Sequence, residues 1–328
     1  MPTQHTIRSI DVGYGNTKFI ADDRGTCRIF PSLAPLADAR AIRSGALSER
    51  RTSIVTVDGR AYEVGPDATL FSDSPFLHQS YIETPEYRAL VYGALDIMQV
   101  SQVDLLVTGL PIYLHHSRAQ QLKQLLTGQH TIRDNLVVNV SEVTVVAQPV
   151  GGLIAFTQDC EDWASTQQRV RLLVDPGLFS LDWLVVRGLK EVPGLSQSIE
   201  GGVCEVLKGV ALEISRDFGE GYGNLHKIDE GLRGAPWQLR GKSVDPEVYR
   251  PIATAAARRS VRTLRNFVVT ALPQIEEIVL VGGGAELFEP AIRSEFPDLP
   301  VKTVADPITA NVRGFQIIGR SLKQRRAA

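Results

Sequence analysis

The sequence predicts an α/β fold of two related domains, and three observations carry that expectation. Apolar runs of strand character alternate with helical periodicity along the chain, the pattern of strands layered with helices rather than of a sandwich. A strand, a glycine turn and a second strand occur near the start and again downstream, with Asp11 and Asp175 164 residues apart, half of the 328. The length is about twice that of a typical domain, enough for two cores.

Taken in order, Ile7 to Val12 reads as a strand that ends in Gly13, Tyr14, Gly15 and Asn16 before apolar character resumes at Phe19 and Ile20. Thr84 and Pro85 start a helix as N-cap and first residue, with Leu90, Ala94 and Met98 at helical spacing. Asp104 to Val107 is a short strand, Thr108 to Pro111 the turn after it, and the next helix carries Leu114, Leu122, Leu125 and Leu126 until Gly128 stops it. Valine-rich Val137 to Val146 reads as one strand. In the second half, Arg171 to Val174 is a buried-type strand, Asp175-Pro176-Gly177 the turn, and Leu181 to Val186 the returning strand. Gly202 to Ser215 and Val248 to Leu272 read as helices, Ile278 to Val281 as an apolar strand running into Gly282-Gly283-Gly284 and a helix near Ala285, and Thr309 to Leu322 as a last helix with a basic tail, Lys323 to Arg326. The glycine-rich, polar stretch Glu220 to Asp245 is expected to be a mobile insertion.

Composition narrows the partners. Lys plus Arg is 35 against 37 for Asp plus Glu, a net charge of -2, so no overall field draws the chain to nucleic acid or an anionic membrane. Direct nucleic-acid binding is not expected. No stretch approaches the roughly 18 consecutive apolar residues of a membrane span, and the polar Met1 to Ser9 lacks the apolar centre of a secretory signal. Cys27, Cys160 and Cys204 are far apart with no C-x-x-C pair, which fits a reducing compartment. The expected location is cytoplasmic.

The chemistry gathers at the glycine turns. In Asp11 to Lys18, two glycines let backbone N–H groups approach phosphate oxygens closely, and Lys18 adds a point charge. A carboxylate at Asp11 is repelled by such phosphates unless a cation intervenes, which implies Mg²⁺ held through water. The plainer reading is a tight hairpin with a surface aspartate. Asp175-Pro-Gly177-Leu-Phe-Ser180-Leu-Asp182 repeats the arrangement, so two loops, one per domain, can close on a single triphosphate with Asp175 as the second acid. Gly282 to Gly284, between an apolar strand and a helix, suits a nucleotide packed flat on the backbone or simply close strand–helix packing; Leu287 stands where a dinucleotide fingerprint has its third glycine. Gly241-Lys242-Ser243 is no phosphate-binding P-loop, because Pro236 replaces the leading glycine. His115 and His116 point about 100° apart on a helix and cannot share a metal. Arg258, Arg262 and Arg265 form a basic stripe read as a solvated face.

Four segments, Ile10 to Lys18, Gln148-Pro149-Val150-Gly151-Gly152, Leu173 to Asp182 and Ile278 to Leu287, resemble the phosphate-1, connect-1, phosphate-2 and adenosine motifs of the superfamily of actin, heat-shock chaperones and sugar kinases. Val281 to Glu286 and Ala310 to Phe315 resemble most the adenosine and connect-2 segments of the bacterial actin-like ParM/StbA plasmid-segregation proteins, including the subgroup of plasmid PRTRC gene clusters. The resemblance implies two ribonuclease H-like lobes, 1–150 completed by 309–328, and 151–308, with mixed sheets flanked by helices and a nucleotide cleft between them. It implies that Gly13, Gly15, Asn16 and Lys18 hold the phosphates, Asp11 and Asp175 the hydrated Mg²⁺, Gly177 the second phosphate loop, and Gly282, Gly283 and Gly284 the adenosine of ATP or GTP. Gly201, Gly202, Glu205 and Lys208 follow as residues near base and ribose, with a plain i,i+3 ion pair as the other reading of the last two. Gln148 matches the glutamine with which actin orients water, where ParM proteins commonly carry an acid; an amide is a poor base, so slow hydrolysis completed on assembly is expected. Pro176, Leu178 and Phe179 replace small or polar residues of the family loop, and Ser180 its commoner threonine.

The implied function is an ATPase that assembles head to tail into filaments for plasmid segregation, with a plasmid DNA-bound adaptor as a further partner. The alternatives from other classes are a non-polymerising phosphotransferase of the same superfamily and a nucleotide-dependent adaptor in a DNA-partition complex.

Overall fold

The computed structural model describes residues 5–37, 50–68, 80–219, 221–239 and 241–327. The first elements are β1 (Ile7–Val12), β2 (Asn16–Ile20), β3 (Cys27–Pro31), β4 (Ser53–Val57), β5 (Arg60–Val64), α1 (Pro85–Met98), β6 (Gln102–Val103), β7 (Leu105–Leu110) and α2 (Ile112–Leu126). Next come β8 (Gly128–Arg133), β9 (Leu136–Val140), β10 (Val143–Ala147), α3 (Gln148–Asp159), α4 (Trp163–Thr166), β11 (Val170–Pro176), β12 (Ser180–Arg187), β13 (Lys190–Glu191) and β14 (Gln197–Glu200). The chain continues through α5 (Val203–Phe218), α6 (Leu225–Leu232), β15 (Gln238–Leu239), β16 (Lys242–Ser243), α7 (Arg250–Phe267), β17 (Glu277–Leu280), α8 (Ala285–Glu295), β18 (Val301–Thr303) and α9 (Ala310–Ala327). The fold is mixed α/β. Among the described residues no helix is long and apolar enough to cross a membrane, and no disulfide joins Cys27, Cys160 or Cys204.

The chain divides into two compact units, Met1–Ala155 with Thr309–Ala328, and Phe156–Ile308. In the first, the main sheet runs β10-β7-β1-β2-β3. β1 is parallel to β7 and antiparallel to β2. Every residue of β1 is buried, as a strand covered on both faces must be. α9 supplies part of that cover: Val312 and Phe315 pack on Ile7, Leu105 and Val107, and Gln316 Nε2 donates to the Ile7 carbonyl at 3.2 Å. Gly151 and Gly314 let α3 and α9 touch backbone to backbone, since a Cβ on Gly314 would fall onto the Gly151 carbonyl.

The second unit repeats the plan. Its six-stranded sheet runs β13-β12-β11-β17-β18, with β14 also on β12; β11 is parallel to β17 and antiparallel to β12. Each sheet therefore sets an acid-bearing strand between a parallel neighbour and its own hairpin partner. Asp11 stands opposite Lys18 and Asp175 opposite Asp182. Val170, Leu172 and Val174 of β11 and Ile278 and Leu280 of β17, on one face of the sheet, form one core with α5, α7 and α8.

Several expectations need correction. Thr108 to Leu110 are strand rather than turn, because β7 pairs with β10 as far as Leu110 and Phe315 packs against Gly109, whose bare Cα leaves room for the ring. Val137 to Val146 is two strands: β9 joins β8 and β6, while β10 joins β7. The long helix starts at Arg250, with Pro251 in its first turn, and stops at Phe267. Glu220 and Arg240, like the initial Met1 to Gln4, lie outside the described residues, but the rest of the supposed insertion is built into the second core. Asn224 caps α6 through the Lys227 N–H at 2.9 Å, and Ile228, Leu232 and Trp237 are buried. The signal was present as Leu225, Ile228 and Leu232 at helical spacing. The arginine stripe is partly tied to α8, where Arg258 and Arg262 (2.9 Å) both bond Glu295 and hold its carboxyl below the usual range. Lys323 (3.3 Å) and Arg326 (2.6 Å) of the basic tail pair with Glu142.

A buried ion pair anchors the second sheet at the end away from Asp175. Arg171 and Glu277, both fully buried, bond side chain to side chain, and the guanidinium lies 4.9 Å from the centre of the Trp163 ring. Removing one partner of such a pair strands the other charge. Arg171→Met is expected to cost about 3 kcal/mol, because Glu277 keeps Lys302 at 3.1 Å. Thermal denaturation should show this as a fall of roughly 10 °C; an unchanged midpoint would remove the pair from the stability of the unit.

Candidate functional site

The first hairpin holds a closed triad. Asp11, 1% exposed, receives Lys18 Nζ on Oδ2 at 3.0 Å and Gln148 Nε2 on Oδ1 at 2.7 Å. The lysine arrives because Lys18 is the cross-strand partner of Asp11, and the glutamine because it is the first residue of α3, directly after β10. With its amide N–H committed to Asp11, Gln148 keeps a carbonyl oxygen to accept from another molecule. Gly13 closes the turn through its N–H to Asn16 O at 3.1 Å; a Cβ there would meet Lys18 Nζ at 3.0 Å. Between Gly13 and Gly15, the Tyr14 ring stacks on Tyr81 at 5.2 Å and its hydroxyl lies 3.3 Å from that of Tyr113. Tyr14, Tyr81 and Tyr113 escaped the sequence reading because their contacts span 67 and 99 positions of a chain with no local sign of them.

The second hairpin is tied differently. Ser180 Oγ donates to Asp182 Oδ2 at 2.5 Å, and Ser198 Oγ donates to Oδ1. Ser180 thus presents lone pairs, not its proton, to anything else nearby. The carbonyls of the turn cap α5: Gly177 O accepts from Val203 N at 2.9 Å and Leu178 O from Cys204 N at 2.8 Å. Gly201 and Gly202 both direct their N–H groups to Phe179 O, at 3.2 and 3.1 Å. Their place is packing, since a Cβ on Gly202 would meet Leu178 O at 2.8 Å. The start of α5 therefore faces this hairpin, and its first two amide donors, those of Val203 and Cys204, are spent there.

Gly282 to Gly284 lie against the same hairpin. Gly282 has φ +81°, and a Cβ on it would fall onto Asp175 Oδ1. A Cβ on Gly284 would lie 2.7 Å from the Pro176 carbonyl. Two of the three glycines serve close packing. Only Gly283 has open space where its Cβ would be, and its carbonyl accepts from Arg233 Nη2 at 2.9 Å. Arg233, in turn, is held by Asp229 at 2.9 Å. The sequence reading missed Arg233 by treating its segment as loop. Glu205 and Lys208 form an exposed i,i+3 pair at 2.7 Å, which raises the lysine above its ordinary range. Burial pushes the neighbouring Cys204 thiol up.

Among the described residues no three His, Cys, Asp or Glu side chains come together to hold a metal. Each hairpin carries nearly buried carboxylates, Asp11 on the first and Asp175 and Asp182 on the second, oxygen donors of the kind a hard cation takes.

Residues 9–151 match the family model "Actin like proteins N terminal domain", and residues 173–294 match "Archaeal actin homologue MreB-like, C-terminal". A relative described as "Archaeal actin homolog", from Thermoplasma volcanium, is 23% identical over 94% of this chain and 96% of its own length. Among solved structures, the archaeal actin homolog Ta0583 superposes with a TM-score of 0.79 at 20% identity, covering 96% of this chain and 99% of that one. Its complex with ADP gives 0.76 at 19%, with 96% and 99% covered. A 15-stranded ParM filament from Clostridium botulinum gives 0.79 at 18%, with 97% and 100% covered.

Proposed function

Because this chain belongs to the actin-like superfamily, we propose that it is an ATPase of that group, which holds Mg-ATP with both of its acid-bearing hairpins and assembles with copies of itself. The observation that carries the reading is the repetition: two sheets of one strand order, each presenting an aspartate beside a glycine turn at the same position. In support, a similar archaeal protein is described in complex with ADP and a similar ParM as a filament.

In this reading 1–150 with 309–328, and 151–308, are the functional lobes. Lys18 and the hairpin amides that follow Gly13, as far as Asn16, face the phosphates, Gly177 belongs to the second phosphate loop, and Asp11 and Asp175 hold the hydrated ion. A bound Mg²⁺ would neutralise phosphate charge. Gln148 accepts a proton-bearing water on its free carbonyl oxygen and orients it; as an amide it does not deprotonate that water, so turnover is slow. Gly283, with Arg233 at its carbonyl, offers the flat surface for adenosine, while Gly201, Gly202, Gly282 and Gly284 shape the loops behind it. Glu205 and Lys208 stand at the margin as a ribose or base contact. Head-to-tail contact whose rotation does not close yields a filament, and the filament's use is plasmid segregation through a DNA-bound adaptor.

Calorimetry with ADP and Mg-ATP, followed by negative-stain microscopy of the same samples, tests this. Nucleotide uptake and filaments that require Mg-ATP are expected. Absence of uptake overturns the proposal, and phosphorylation of a small hydroxyl compound without polymer replaces it by a phosphotransferase. Gln148→Ala should slow hydrolysis about 100-fold with ADP affinity nearly unchanged; a wild-type rate would remove Gln148 from the chemistry.

A further inference from the structure

Ser32 follows β3 and is 4% exposed, yet its hydroxyl and its backbone N–H both donate to the first hairpin. Its Oγ donates to the Gly13 carbonyl at 2.6 Å, and its backbone N–H donates to the Gly15 carbonyl at 2.9 Å. Because Ser32 Oγ has a single proton and gives it to Gly13, the 2.9 Å contact with Thr17 has the threonine hydroxyl as donor. The two carbonyls flank Tyr14. In a planar trans peptide the C=O and the following N–H point in opposite directions, and the chain has no cis bond among its described residues. With the Gly13 and Gly15 carbonyls drawn to Ser32, the N–H groups of Tyr14 and Asn16 are turned to the opposite side of the turn.

We propose that Ser32 is a positioning residue, which aims the Tyr14 and Asn16 backbone donors at the phosphates of a bound nucleotide. The inference rests on the reading of this hairpin as a phosphate cradle. Two fixed peptides give donors that need no reorientation when an anion arrives, and preorganised donors bind more tightly than free ones. A hairpin lacking the Ser32 hydroxyl keeps the Gly15 anchor but frees the Gly13–Tyr14 peptide to rotate.

The test compares ligands that differ only in phosphate. Isothermal titration of wild type and Ser32→Ala with ADP and with adenosine is expected to show ADP affinity falling about tenfold and adenosine affinity unchanged. Equal losses for both ligands would make Ser32 a purely structural residue and overturn the proposal, as would unchanged ADP affinity. A wild-type protein that takes up no ADP would instead fail the reading of the site itself. A second measurement does not depend on the variant folding. In ¹⁵N spectra of the wild type, the Tyr14 and Asn16 amide resonances should move on adding ADP and stay in place on adding adenosine; resonances that respond equally to both overturn the proposal.

Discussion

Gly282→Val is expected to lower the stability of the second unit by about 4 kcal/mol and to abolish nucleotide uptake together with it. A β-branched residue at φ +81° carries about 1–3 kcal/mol of backbone strain. Its Cβ would also fall onto Asp175 Oδ1 and lie 3.3 Å from the Pro176 carbonyl, so the second hairpin must move or the loop must unfold. Chemical denaturation followed by tryptophan fluorescence reads the first effect, with Trp183 in the same core. A stable variant that still binds ADP would show that the loop and hairpin are not pressed together. Gly283→Ala is the internal control, because nothing lies within 4 Å of its Cβ direction; its fold should be unaffected.

Asp175→Ala should eliminate Mg-dependent hydrolysis, a loss of about a thousandfold or more, while leaving the unit folded. Asp175 is 6% exposed and stands opposite Asp182 across the hairpin, so its removal takes away one of two neighbouring carboxylates. ADP uptake in the presence of a chelator should persist. Turnover at the wild-type rate would take Asp175 out of the proposed metal site.

Both hairpins were legible in the sequence because everything that forms them is local: apolar strand, two or three turn residues, apolar strand, all within about a dozen positions. Thr84 and Pro85 were legible for the same reason, and Thr84 Oγ1 indeed accepts from the Tyr87 N–H at 3.2 Å. What surrounds the acids was not. Gln148 reaches Asp11 across 137 positions, and a buried arginine meets its glutamate across 106; nothing in either neighbourhood announces the partner. Glycines are ambiguous in a particular way. Gly201, Gly202, Gly282 and Gly284 lack side chains because other parts of the protein press on them, and a missing Cβ looks the same in a sequence whether a phosphate or a peptide carbonyl takes its place. Ser32 was invisible for a related reason: its hydroxyl serves a carbonyl 19 residues earlier, and serine is too common to mark it.

The helix α9 has a consequence for synthesis. The first unit is begun by the earliest strands but completed only by Thr309–Ala328, whereas the second lies within one uninterrupted segment. During synthesis Ile7, Leu105 and Val107 are therefore made long before Val312 and Phe315, which cover them. At about 5–20 residues per second, the apolar surface of the earlier half waits many seconds for its covering helix.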